Sequence, residues 1–191
     1  MLEPEEPLAR ARRAFFAAMA ALADAIGAHC RPEVPLAFDW PDAILFDGAL
    51  IGGGRLGWPQ DCAEDAVPAW LVFSAMLIAD KPRAGEPGAT PGSTSLADEG
   101  FFESGRAMVE SFARHLMTAF DLWAERGFEA VAAGYLARLP AERAGDERRI
   151  DESGDLLVAN RGRKGPPERL PLLPALLAPS WLDPATRAPR L

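Results

Sequence analysis

Leu8, Ala11, Phe15, Met19, Leu22 and Ile26 recur at three- and four-residue steps, the spacing of one face of an amphipathic helix, and predict a helix from Pro7 to His29. Gly27 and the following Arg31-Pro32 supply its stop. The period then shortens to that of strands. Val34 to Phe38 and Ala43 to Phe46 read as short strands, and Asp47-Gly48 is the dipeptide a two-residue hairpin turn favours, because both positions tolerate positive φ. The return strand is Ala49 to Leu56. Its Gly52-Gly53-Gly54 run has no side chains to pack, which predicts a bulge or a close approach of something to the backbone.

Ala69 to Ala79 is a mostly apolar run bounded by Pro68 and Asp80, the pattern of a buried strand. Lys81 to Thr94, rich in proline and glycine, predicts an exposed loop. Met108, Phe112, Leu116 and Phe120 lie four apart with Val109 and Trp123 on the same face, giving a long helix that Gly127 ends. Phe128, Val131, Ala132, Tyr135, Leu136 and Leu139 repeat the pattern in a second helix closed by Pro140, and both stripes read as core. Beyond a charged linker at Ala141 to Glu147, Arg148 to Asp151 and Asp155 to Ala159 flank Glu152-Ser153-Gly154 as a second hairpin, and Glu168 to Leu173 adds a third small strand. The proline- and alanine-rich end predicts fraying. The fold class is α+β, a mixed or antiparallel sheet flanked by helices.

The bulk properties narrow the partners. With 191 residues the chain is long enough to bury one sizeable core, and a net charge of −8 opposes nucleic-acid binding, which needs lysine and arginine against phosphates. Neither Ala14 to Ile26 nor Trp70 to Ala79 is a long enough apolar run to span a bilayer, and the acidic start Glu3-Pro4-Glu5-Glu6 is unlike a secretory signal, so no membrane partner and a cytoplasmic location are expected. Cys30 and Cys62 read as reduced thiols, and His29 and His115 lack the clustering of a metal site.

The run Phe38-Asp39-Trp40-Pro41-Asp42-Ala43-Ile44-Leu45-Phe46-Asp47-Gly48-Ala49-Leu50-Ile51-Gly52-Gly53-Gly54 resembles the central signature of the biotin/lipoate protein ligase family. There, a Lys-Trp-Pro-Asn-Asp stretch precedes an apolar strand, a glycine turn and a strand opening on Ile/Val-Gly-Gly. The flanking order of helix, apolar strand and helix pair is similar, and Ile150 to Val158 looks like the start of that family's small β-rich carboxy-terminal module. The resemblance implies a class II synthetase-like or biotin-ligase-like fold. It divides the chain into a partial catalytic domain at 1–140, a linker at 141–147, a β-rich module at 148–175 and a flexible tail at 176–191. It also implies a reaction in which biotin, lipoate or another small carboxylate is activated with ATP and Mg²⁺ and passed to a lysine of an acceptor protein.

On this resemblance Trp40, Pro41, Asp42, Gly52, Gly53, Gly54 and Arg55 are the candidate ligand-binding residues, and no catalytic residue is secure. Asp39 stands where the family has its lysine, and Asp42 and Ala43 replace the family's Asn and Asp. Exchanging a cation for an anion ~4 Å from a phosphate or carboxylate oxygen replaces attraction of about 4 kcal/mol by comparable repulsion at an effective dielectric of ~20. Two readings of Arg55 stay open, a substitute cation or a solvated strand-end arginine. The Asp151, Glu152 and Asp155 tip reads as solvated, and Arg161-Gly162-Arg163-Lys164 as a surface loop. The family's Gly/Arg-rich strands would precede the first helix, which predicts a native start upstream of Met1.

Three functions follow: a ligase-like enzyme, a degenerate module that binds a small ligand or a protein without activating it, and an interaction protein pairing through an incomplete sheet edge. The first two require the segment around Trp40 and the strand at 52–54 to form the bare floor of a cleft for an acyl chain.

Overall fold

The computed structural model describes residues 1–30, 34–81, 90–101, 103–140, 146–160, 162 and 165–191. The most buried helix is α2 (Ala14–Gly27), preceded by the single turn α1 (Leu8–Ala11). One continuous amphipathic helix was expected. Instead the helix breaks at Arg12 and Arg13, and α2 is enclosed on all sides, with Phe15, Phe16, Met19 and Ile26 fully buried and alanines between them. The small alanines let neighbouring elements approach every face, so an apolar helix becomes the axis of the core rather than its margin.

Four antiparallel strands pack against it in the order β1 (Leu36–Asp39), β2 (Ala43–Phe46), β3 (Ala49–Gly57) and β4 (Val72–Leu77). Asp47 and Gly48 hold φ of 48° and 81°, as the expected two-residue turn requires. The register jumps from Ile44↔Gly52 to Leu45↔Leu50, so Ile51 is the extra residue of a bulge in the glycine strand itself, one of the two outcomes its sequence predicts. Contrary to the expected buried strand, β4 lies at the edge of the sheet, with Val72 and Met76 exposed and Phe73 turned to the core. An apolar run alone does not say how many faces are covered.

Two helices, α3 (Gly105–Arg126) and α4 (Phe128–Leu136), cover α2. Met108, Phe112, Leu116, Phe120 and Trp123 on α3 are half-buried rather than core and Val109 is exposed; Ser111 is the buried residue of that helix, whereas Phe128, Val131, Ala132 and Tyr135 of α4 are buried as expected. Ser93 and Thr94, placed in an exposed loop by sequence, are buried with the following Ser95 where the chain bridges Leu50, while residues 82–89 lie outside the described residues.

A second sheet contains β5 (Asp146–Ile150), β6 (Leu156–Asn160) and β7 (Glu168–Leu170). Residues 141–145 of the expected linker lie outside the described residues, and Asp146 and Glu147 already pair with β6. The third strand ends at Leu170 and gives way to α5 (Leu172–Leu177). Of the acidic tip, Glu152 is exposed as expected, but Asp151 and Asp155 are not simply solvated. Asp155 is buried and its carboxylate accepts from Leu172 N and Arg169 Nε, while Asp151 Oδ1 accepts from Ser153 N and Oγ and from Asp155 N. Of the basic cluster, residues 161, 163 and 164 lie outside the described residues.

The expected flexible tail at 176–191 is also corrected. Leu176, Trp181 and Leu182 are buried, and Arg190 N donates to Trp181 O to close a small hairpin. Burial of a large indole outweighs the local disorder that proline and alanine predict.

Candidate functional site

The strand register sets Asp39, Ala43, Gly53 and Met76 side by side in one row across the four-stranded sheet. Side chains alternate along a strand, so the neighbouring positions Phe38 and Ile44 point the other way, into the core. The sheet therefore has an inner face on α2 and an outer face that carries Asp39, Ala43, Gly53 and Arg55. Trp-Pro motif and glycine strand do meet: Gly54 N donates to Asp42 O at 2.9 Å.

Each candidate residue has a distinct setting. Trp40 is half-buried, stacked on Phe16 with centroids 5.6 Å apart and edge-on to Tyr135 at 6.0 Å, and its indole nitrogen is buried without a partner. The carbonyl of Pro41 accepts the Tyr135 hydroxyl at 2.7 Å. Asp42 is fully buried; its Oδ1 accepts the Ser180 hydroxyl at 3.1 Å and its Oδ2 has no partner. Burial pushes the Asp42 carboxyl up to about 6, with Asp39 adding to the rise and the Ser180 hydroxyl opposing it. Burial, with the charges of Asp42 and Asp39, likewise raises the Tyr135 phenol. Asp39 and Arg55 are exposed.

The glycines do not leave a bare floor. A Cβ on Gly53 would lie 2.5 Å from Trp181 Cδ1, and the indole N–H donates to Gly54 O at 3.3 Å. On the inner face a Cβ on Gly54 would lie 2.5 Å from Met19 Sδ. Gly52, at φ 152°, would press a Cβ to 2.9 Å from Leu77 Cα. Close approach was expected, but what approaches is the protein's own tail and core rather than open space for a ligand.

Sequence reasoning missed Tyr135, Ser180 and Trp181 as parts of this site. Tyr135 reads as an ordinary helix-stripe residue. Ser180-Trp181-Leu182 carried a usable signal, a large aromatic beside leucines in a tail rich in proline and alanine, since such a side chain seldom stays in water. Among the described residues no group of three or more His, Cys, Asp or Glu side chains gathers to hold a metal, and no helix is long and apolar enough to cross a membrane.

Comparison with known proteins fixes the kinship. The sequence profile of the Biotin/lipoate A/B protein ligase family matches residues 1–137. The chain belongs to this family. A biotin–[acetyl-CoA-carboxylase] ligase of Paracoccus denitrificans is 32% identical over 184 residues, covering 86% of this chain and 73% of that protein. A crystal structure of a biotin protein ligase-like protein of unknown function from a Silicibacter species superposes with a TM-score of 0.68 at 27% identity, over 90% of this chain and 76% of that one. The biotin protein ligase of Aquifex aeolicus, solved with biotin and ATP, superposes at 0.57 with 11% identity over 88% of this chain and 70% of its own, a likeness of fold. The helices and antiparallel sheets seen here, with a separate β-rich sheet after the first, are the architecture of that ligase fold.

Proposed function

We propose that this chain serves a biotin/lipoate-type ligase reaction, in which a small carboxylate is activated with ATP and its acyl group passed to a lysine of an acceptor protein. Family membership and the likeness to the Paracoccus ligase support the class of reaction. The observation that carries it to particular residues is the junction of the two signature pieces, where Gly54 N bonds to Asp42 O beneath a shared outer face. On that face, which Trp181 covers, Asp42, Gly53 and the Gly54 carbonyl would receive the acyl ligand once that side chain is displaced, with Trp40 and Pro41 fixed from behind by Phe16 and Tyr135.

The nucleotide end of the reaction fits the described residues poorly. Asp39 presents an exposed anion where phosphates would gather, and no carboxylate cluster stands ready for Mg²⁺ among the described residues. No step is therefore assigned to ATP through these residues. Asp39 favours a second reading, a module that binds the acyl ligand without activating it.

One variant separates the two. Pyrophosphate exchange with ATP in the presence of biotin or lipoate reports activation directly. If the wild type exchanges, the enzyme reading stands; if only Asp39→Lys gains exchange, the binding module has lost a single cation. Absence of exchange from both proteins across a panel of carboxylic acids removes the ligase reading.

A further inference from the structure

The outer face of β3 already has an occupant, and that occupant fits it incompletely. Trp181 lies on Gly53, in a cluster with Ala43, Leu182 and Leu50, and gives its N–H to Gly54 O. Ser180 gives its hydroxyl to Asp42 Oδ1. The two side-chain bonds, of 3.3 and 3.1 Å, are both long, and the Ser180 backbone N–H also helps to hold the Asp42 carboxyl. Asp42 Oδ2, in the same carboxyl, is buried with no donor. A buried acceptor left unpaired weakens whatever arrangement encloses it, so the strap satisfies half of what the site offers.

The occupant also shows what the site accepts. An indole is a flat ring system, apolar on its faces, with one N–H at its edge. The bare edge at Gly53 admits the ring, Gly54 O takes the N–H, and the unpaired Asp42 oxygen has room in its bonding for one donor more.

We propose that the Ser180–Trp181 strap is a displaceable occupant of the acyl-ligand site, and that the site takes a ring carrying N–H donors, received by Gly54 O and the Asp42 carboxyl. This rests on the ligand-binding reading above and adds to it a selectivity and a competitor. The ring of biotin carries two N–H groups and the dithiolane of lipoate carries none, so the two acids distinguish the chemistry.

Calorimetric titration of the full chain with each acid tests it, comparing wild type, Trp181→Ala and Trp181→Phe. Biotin binding tightens about tenfold or more in Trp181→Ala, because a strap docked in roughly nine molecules of ten lowers apparent affinity by that factor. Trp181→Phe, which keeps a ring but loses the N–H, falls between, and it decides the matter if Trp181→Ala does not fold. Lipoate gains less than biotin. Unchanged or weaker biotin binding in folded variants overturns the strap as competitor while leaving the ligase reading intact. An equal gain for lipoate overturns the N–H selectivity. If no variant binds either acid, the site is not a ligand site and the proposal fails; the ligase reading fails with it only if pyrophosphate exchange is absent too.

Discussion

The two faces of the four-stranded sheet are closed by different means. Inward, Ile44, Phe46, Ile51 and Leu56 meet α2, and Phe16 alone makes ring contacts with Phe15, Trp40, Phe128 and Tyr135. Outward, Ala43 and Gly53 offer almost no side chain, and a remote Trp181 covers them beside an exposed Arg55 and Met76. The inner face is apolar and dense, though the buried Trp40 indole nitrogen there has no partner. The outer face encloses an unpaired carboxylate oxygen, a cost that a face built only for stability would not carry.

The contrast is open to direct attack, beginning where the effect is largest. Phe16→Ala removes the hub of the inner face, and urea unfolding should show a loss of roughly 3–5 kcal/mol, as for other buried aromatic truncations. A loss under about 1 kcal/mol would mean that the inner face is as loosely held as the outer one.

Asp42→Asn probes the outer face through pH. The folded state holds the Asp42 proton up to about 6, whereas the unfolded chain releases it near 3.8. Between those values the folded state binds the extra proton, so the group's favourable state is fully present at low pH and is lost as pH rises through the window. An amide has no such loss. Relative to wild type, the variant should gain on the order of 2–3 kcal/mol between about pH 4 and pH 7, with no further change above it. An unchanging difference in paired urea melts would show a carboxyl that ionises as it does in water.

The smallest effect is assigned to Arg55→Ala. An exposed strand arginine on this face contributes little, and unfolding should shift by less than about 0.5 kcal/mol. A larger loss would reveal that the outer face depends on this cation for its stability.

What was legible in the sequence is what short-range physics decides. Asp47-Gly48 announced its turn because the preference for positive φ resides in those two residues. The period change from helix to strand near residue 34 and the stop at Gly127 are local in the same sense. The surroundings of Asp42 were not legible, because Ser180 lies 138 positions away, and Trp181 reaches Gly54 from 127 positions away. The same limit explains β4, whose apolar run gave no sign that its outer side chains stay in water. The Trp-Pro and glycine pieces are adjacent in the fold, Asp42 and Gly54 being bonded to each other. What fills that place could not be read from a motif, because the glycines show only that something comes close.

The small hairpin between Trp181 and Arg190 has a practical consequence for anyone preparing this protein. A purification tag fused after Leu191 would hang from one arm of a loop whose other arm carries the indole, since Arg190 N is tied to Trp181 O. Such a fusion would pull on the very group that decides whether small acids are seen to bind, so assays of tagged material should be repeated after cleavage, or with the tag moved to the opposite terminus.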